Sequence, residues 1–135
     1  MTVESATTTM LFNLFEAFNR HDLDAVLEFF IEDCAFITAS GPERHGARIE
    51  GKGAVACAFA NVWKDMPDAR WAEHRHFACG NRAVSEWIFS GTSKTGGYLE
   101  VEGCDLFTLQ GGKIAEKQAF RKMRTQHEMR DRCRV

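Results

Sequence analysis

Asp105 is the acidic residue best placed to do chemistry in this sequence, because its neighbours on one side of an extended segment are apolar or small. Val101, Gly103, Phe107 and Leu109 share its parity within residues 98–110. Alternate residues of a strand lie on the same face, and apolar surroundings disfavour the charged form of a carboxyl group. The pattern predicts a neutral acid or hydrogen-bond donor. The alternative is a structural Asp satisfied by an arginine or by backbone donors.

Two histidines, His74 and His76, lie two residues apart in the extended segment 70–79. Histidine is the natural general base near neutral pH, so a histidine beside Asp105 would complete an acid and base pair. The sequence does not decide which parity of this segment faces a pocket. Trp71 and Phe77 are apolar and have the opposite parity, which favours an exterior position for both histidines. With no third ligand of clear geometry, no metal site is expected.

Three helices are predicted from apolar residues that recur at helical spacing. They cover residues 5–19, Asp22 to about Ile31, and residues 52–65. Asp22 is a suitable N-cap for the second helix, and Pro67 cannot continue the third.

Extended segments make up most of the remaining chain. Residues 34–39 are apolar and partly β-branched, which predicts a strand, whereas the glycine-rich residues 41–53 predict a loop and a candidate lid. After Asp68, glycine turns separate four segments, which are residues 70–79, 82–92, 98–110 and 112–123. Four consecutive antiparallel strands follow, with the helices across one concave face.

Length and charge exclude several classes of protein. A chain of 135 residues fits one domain, residues 1–135, in which residues 125–135 form a polar tail. The net charge of −2 gives no reason to expect nucleic acid or an acidic membrane surface as a partner. The longest nearly apolar stretch, residues 54–63, is far below the roughly 20 residues of a membrane span. Because residues 1–9 lack a signal pattern, we expect a cytoplasmic protein.

The five cysteines are odd in number and have no C-x-x-C spacing. This predicts reduced, structural thiols.

Three parts of the sequence resemble the SnoaL-like branch of the nuclear transport factor 2-like superfamily, which includes polyketide cyclases and ketosteroid isomerases. They are FNRHDLDAV (18–26) with FFIEDC (29–34), EWIFSGT (86–92), and DLF (105–107) with GKI (112–114). The resemblance implies an α+β fold, a cone-shaped half-barrel in which three N-terminal helices pack on a curved, mostly antiparallel sheet. It also implies a deep pocket for a small-molecule ligand and a homodimer through the outer sheet face.

Carried over residue by residue, the resemblance places Asp105 where ketosteroid isomerases keep a functional carboxyl group. Thr38 stands where those enzymes have their general base, and a hydroxyl cannot take a proton at neutral pH. Their three pocket tyrosines correspond to Leu14, Phe30 and Phe59. Ser93 stands where SnoaL-like proteins often have a histidine. Steroid isomerisation is therefore not expected.

The resemblance also implies which residues line the pocket. Ser85, Trp87 and Phe89 share the parity that it places inside the cone. With them, an aromatic wall would include Phe18, Phe36, Phe59, Trp63 and Phe107. Arg121 would either face an anionic group of the ligand or pair with Asp105.

Two functions remain open on this basis. The first is a cofactor-independent enzyme of the cyclase or isomerase type, which moves a proton next to the carbonyl of a small apolar metabolite. It would use Asp105 as the acid and His76 or His74 as the base. The second is a non-catalytic module that binds a small molecule in the aromatic pocket. A structural dimerisation domain with a filled cone is a third reading.

Overall fold

A computed structural model describes residues 2–125 of the chain. It contains α1 (Val3–Asn19), α2 (Leu23–Leu27), β1 (Phe30–Ile37), β2 (Arg48–Glu50), α3 (Lys52–Asp65), β3 (Arg70–Cys79), β4 (Arg82–Thr92), β5 (Tyr98–Gln110) and β6 (Lys113–Arg121). The three predicted helices and the four hairpin strands are confirmed. The predicted polar tail lies outside the described residues, apart from Thr125.

The six strands form one mixed sheet in the order β2-β1-β6-β5-β4-β3. Strand β1 runs parallel to β6, and every other neighbouring pair is antiparallel. Only α1 and α2 precede the sheet, since α3 follows β2. The fold is therefore α+β with a mostly antiparallel sheet, as predicted, but the helices are not all N-terminal to the strands.

The first half of the chain differs from the prediction in two places. Strand β1 begins at Phe30 and α2 ends at Leu27, because the backbone after α2 already pairs with β6 through the bond from Ile114 N to Phe29 O (2.8 Å). The predicted loop 41–53 contains the edge strand β2, which pairs with β1. It was missed because it is three residues long and largely charged, as edge strands often are.

Helix α1 is fastened to the sheet at its C-terminal end. The side-chain amide of Asn19 donates to the carbonyl of Trp71 (3.0 Å) and accepts from its N–H (2.8 Å). His21 Nε2 lies 2.8 Å from the carbonyl oxygen of Ala69. These two polar residues therefore fix where α1 crosses the start of β3, and their role in the fold is structural.

One face of the sheet is covered and the other is not. On β4, Ala83, Ser85, Trp87 and Phe89 are buried, while the residues between them are only partly buried. We call their side the inner face, since it packs against Phe15 and Phe18 of α1 and Phe59 of α3. The opposite side is the outer face.

A β-bulge in β3 changes which residues of that strand point inward. Ala72 pairs with Ile88 and Arg75 pairs with Glu86, so β3 has one residue more than β4 between these positions. Glu73 adopts a φ of 52° there. A bulge shifts the alternation by one residue, so Trp71 and both His74 and His76 share the inner face. The expectation that both histidines lie on the exterior is therefore wrong.

A second bulge lies in β6. Leu109 pairs with Ile114 and Thr108 pairs with Glu116, which makes Ala115 the extra residue. A regular hairpin from the Gly111-Gly112 turn would have placed Lys117 opposite Leu106, on the outer face. The bulge instead places Lys117 opposite Phe107, on the inner face.

No helix among residues 2–125 is both long and apolar enough to cross a membrane. Cys34, Cys57, Cys79 and Cys104 are free thiols, and Cys133 lies outside the described residues.

The positive φ of Glu73 makes the β3 bulge testable. Glu73→Val should destabilise the protein by about 1–3 kcal/mol, because a β-branched residue fits the left-handed region poorly. Glu73→Gly should be neutral or stabilising, because glycine adopts this conformation freely. Urea unfolding of both variants measures the effect, with Arg70→Val at a regular β3 position as the control. Equal losses for the two valine variants would contradict the assignment.

Candidate functional site

Asp105 lies at the centre of the inner face and is fully buried. Its Oδ1 accepts a hydrogen bond from Lys117 Nζ at 3.0 Å, and its Oδ2 accepts one from Trp87 Nε1 at 2.9 Å. Both carboxylate oxygens thus have a donor, one of them cationic. The expectation of an isolated neutral acid is wrong, because the β6 bulge brings a lysine to it. The cation that pairs with Asp105 is Lys117, whereas pairing with Asp105 was one of two alternatives for Arg121.

Lys117 is buried by aromatic rings. Its Nζ lies 4.7 Å from the centroid of Phe36, 5.5 Å from that of Phe18 and 5.6 Å from that of Phe59. Ring faces attract a cation, and more strongly where water is excluded. Lys117 and Asp105 therefore form a desolvated ion pair inside an aromatic enclosure.

A series of polar residues joined by hydrogen bonds begins beside this ion pair and ends at the surface. Ser85 Oγ lies 2.7 Å from His76 Nδ1, and His76 Nε2 lies 2.8 Å from His74 Nδ1. His74 Nε2 in turn lies 3.0 Å from Glu16 Oε2 on α1. Ser85 is fully buried, whereas about half of the Glu16 side chain is exposed at 48%. We call these four residues the His relay.

Burial lowers the pKa of His76 to about 4, with the neighbouring His74 as a smaller cause. Phe15 packs on both imidazole rings, with centroid distances of 5.5 Å to His74 and 5.4 Å to His76. His76 is therefore a neutral imidazole at neutral pH.

The sheet register joins the two groups. His76 pairs with Ser85 across β3 and β4, and Ser85 pairs with Asp105 across β4 and β5. Directly opposite residues of antiparallel strands have Cβ atoms about 4.5–5.5 Å apart. A base, a hydroxyl, a carboxylate and an ammonium group therefore lie side by side on one face. Such a set can move a proton and stabilise a negatively charged oxygen.

We call Asp105, Lys117, Ser85 and His76 the polar band. The remaining predicted wall residues surround it. Leu14, Phe18, Phe59, Trp87, Phe89 and Phe107 are buried in the core, and Phe36 and Trp63 are packed against it. Their part in ligand binding stays a prediction. Trp63 Nε1 is buried without a hydrogen-bond acceptor among residues 2–125.

Thr38 and Arg121 have contacts with other residues. The Thr38 hydroxyl donates to Ser40 O (2.7 Å) and accepts from Ala47 N (3.0 Å), so the loop occupies it. Arg121 places its guanidinium 4.5 Å over the ring of Phe89. Burial there lowers the pKa of Arg121, and the nearby charge of Asp105 opposes the shift.

Sequence reasoning missed Lys117 and Glu16. Nothing in the sequence marks Glu16 as functional, because a glutamate beside apolar positions of a helix is usually an ordinary surface residue. Lys117 alternates with Ala115, Ala119 and Arg121, but hairpin pairing alone assigns it to the outer face.

The buried ion pair is open to a mutational test. Lys117→Met should destabilise the protein by about 3–5 kcal/mol, because it leaves the Asp105 carboxylate buried without a cation. The double variant Asp105→Leu/Lys117→Met should recover much of that loss, since it removes both charges. Urea unfolding measures all three proteins, and Lys113→Met, at an exposed position of the same strand, is the control. A double variant with a lower free energy of unfolding than Lys117→Met would count against the ion pair.

The low pKa of His76 predicts a stability that depends on pH. Between about pH 6.5 and 4, an unfolded histidine binds a proton that folded His76 does not, so unfolding is favoured as the pH falls. The stability that neutral His76 contributes to the fold is fully present above about pH 6.5, and it is lost below about pH 4. His76→Gln should show a smaller fall in urea midpoint than wild type between pH 7.5 and 4.5. An equal fall in urea midpoint for His76→Gln and wild type would contradict the low pKa of His76.

Comparisons with known proteins agree with this architecture. A candidate polyketide cyclase from Xanthomonas campestris superposes with a TM-score of 0.80 at 23% identity, over 95% of this chain and 96% of that chain. One from Pseudomonas putida gives 0.77 at 21% identity, over 87% and 92%. A nuclear transport factor 2-like protein of unknown function from Mesorhizobium loti gives 0.74 at 24% identity, over 91% and 96%.

These identities support a shared fold and nothing finer. No curated protein matches the sequence. A family model for the SnoaL-like domain matches residues 12–117. This match covers most of the chain, and we conclude that the protein belongs to the SnoaL-like domain family of the nuclear transport factor 2-like superfamily.

Proposed function

We propose that the protein is a cofactor-independent enzyme of the cyclase or isomerase type, which transfers a proton next to the carbonyl group of a small, mostly apolar metabolite. The observation that carries the proposal is the polar band of Asp105, Lys117, Ser85 and His76 within an aromatic interior. Apolar residues of similar volume would often be at least as stable as a buried ion pair, so stability alone gives little reason to keep it.

The contacts divide the roles among the residues. Lys117 is the group that donates to the carbonyl oxygen and stabilises the enolate formed there. Asp105 accepts from Lys117 and from Trp87, so it orients the ammonium group and acts as a carboxylate, not as a neutral donor. His76, uncharged at neutral pH, is the base and acts through Ser85.

A non-catalytic binding module is the second candidate, and one observation favours it. Among the described residues, Trp63 Nε1 is a buried donor without a hydrogen-bond acceptor, which suits a ligand that carries an oxygen acceptor. Leu14, Phe30 and Phe59 offer only apolar contact at the positions where isomerases have tyrosines. Such a wall can bind a flat ligand by burying its apolar surface.

Hydrogen exchange separates catalysis from binding without knowledge of the final product. The probe is 2-tetralone, a flat and mostly apolar ketone, incubated in D₂O with the protein. Deuterium incorporation next to the carbonyl is followed by proton NMR. Wild type should exceed the buffer rate clearly. His76→Gln should lower the enzymatic rate by about 100-fold or more, the scale of a general base. Asp105→Asn should lower it by about 100-fold, because a neutral amide no longer pairs with the ammonium group that stabilises the enolate.

The matched control is Glu102→Gln, because Glu102 lies exposed on the outer side of the same strand as Asp105. Its exchange rate should equal that of wild type. Circular dichroism and quenching of tryptophan fluorescence by 2-tetralone verify folding and binding in every variant. Quenching without exchange in wild type would overturn the enzyme and support the binding module.

The homodimer through the outer sheet face also stays a proposal. Phe77 is 54% exposed and Phe120 is 46% exposed on that face. An open groove of about 810 Å³ is lined in part by Phe120, Glu86, Ile88 and Cys104. Exposed aromatic rings beside a groove support a partner surface.

A further inference from the structure

When both imidazoles are neutral, the carboxylate of Glu16 sets the hydrogen-bond direction of the His relay, because a carboxylate only accepts. Glu16 is half exposed, and an ionised carboxylate only accepts hydrogen bonds. His74 must therefore donate from Nε2 to Glu16, which leaves its Nδ1 as an acceptor. A neutral imidazole has one donor and one acceptor, so His76 donates from Nε2 to His74 and accepts at Nδ1. The Ser85 hydroxyl then donates to His76 Nδ1.

We propose that Glu16, His74, His76 and Ser85 form one directed proton path, with the Ser85 hydroxyl as its inner end and the Glu16 carboxylate as its outer end. The proposal rests on the proposed function, because it assigns the route by which the abstracted proton leaves the site. Glu16 and His74 are positioning residues. Ser85 is the group that meets the substrate.

The packing around the relay keeps competing groups away. Phe12 lies 5.1 Å from the ring of His74, and Phe15 covers both imidazoles. His76 is hydrogen-bonded to His74 of its own strand, and through His74 it reaches Glu16 of α1. Asp105 of β5 is the register partner of Ser85 and holds Lys117 of β6. Since Lys117 donates to Asp105, the carboxylate of Asp105 already has a cation and Glu16 is the acceptor left for the relay.

The transfer balances in four proton movements. The C–H bond next to the substrate carbonyl breaks, its electron pair forms the enolate, and the proton moves to Ser85 Oγ as the serine proton moves to His76 Nδ1. The proton on His76 Nε2 passes to His74 Nδ1, and the proton on His74 Nε2 passes to Glu16. Glu16 then releases a proton to water, and the reverse sequence returns one to the product.

The direction of the relay is measured by ¹⁵N NMR of the histidine side chains in the full-length protein at neutral pH. Both His74 and His76 should be Nε2–H tautomers in wild type. Glu16→Gln, which keeps the shape but removes the charge, should give a mixture of tautomers, because an amide both donates and accepts. It should also lower 2-tetralone exchange by about tenfold and leave fluorescence quenching unchanged. Glu28→Gln, at another exposed helix terminus, should change neither reading.

The two readings separate the relay from the proposed function. An Nδ1–H tautomer at either histidine in wild type would overturn the relay, whatever the exchange rate. Two Nε2–H tautomers with no exchange by wild type would uphold the hydrogen-bond direction and overturn the enzyme. Exchange by Glu16→Gln at the wild-type rate would overturn the relay as a proton path and leave the enzyme in place.

Discussion

Two extra residues, one in β3 and one in β6, turn the titratable groups of the site toward the inner face. Without the bulge at Glu73, His74 and His76 would point away from the helices, and without the bulge at Ala115, so would Lys117. Because the side-chain period of a strand is two, a slip of one residue exchanges the faces completely. The chemistry of the interior therefore depends on these two local irregularities.

The interior tolerates the charge of Asp105 because both of its carboxylate oxygens accept a hydrogen bond, one from Lys117 and one from Trp87. Trp87 reaches Asp105 across Gly103, where an added Cβ would lie 2.5 Å from the indole ring. A side chain at position 103 would therefore displace the ring that donates to Oδ2 of Asp105. A buried carboxylate stripped of one donor costs far more than the net gain from the bond, so the glycine, the indole and the carboxylate act together.

The sequence predicts the elements well and the site only in part. Apolar spacing and glycine turns locate three helices and four hairpin strands, because burial and turn geometry leave a residue-by-residue pattern. Parity likewise predicts that Asp105 faces inward. The cationic partner of Asp105, Lys117, could not be predicted, since the bulge in β6 that turns it inward carries no reliable signature. Glu73, a non-glycine residue at a φ of 52°, gives no hint of its conformation in the sequence, and the face on which the later residues of β3 lie depends on it.

The arrangement limits what a ligand can be. The ammonium group of Lys117 has three N–H donors, and the hydrogen bond that it makes among residues 2–125 is to Asp105. A ligand that reaches Lys117 should therefore offer an oxygen that accepts from a further N–H. An apolar ligand would leave these further N–H donors buried without an acceptor, which is costly. A carbonyl oxygen fits, because it accepts from Lys117 and gains negative charge as a proton leaves the neighbouring carbon. A module that only binds an apolar ligand has no need of a buried ammonium group. This is the physical reason to prefer the proposed proton transfer to the binding module.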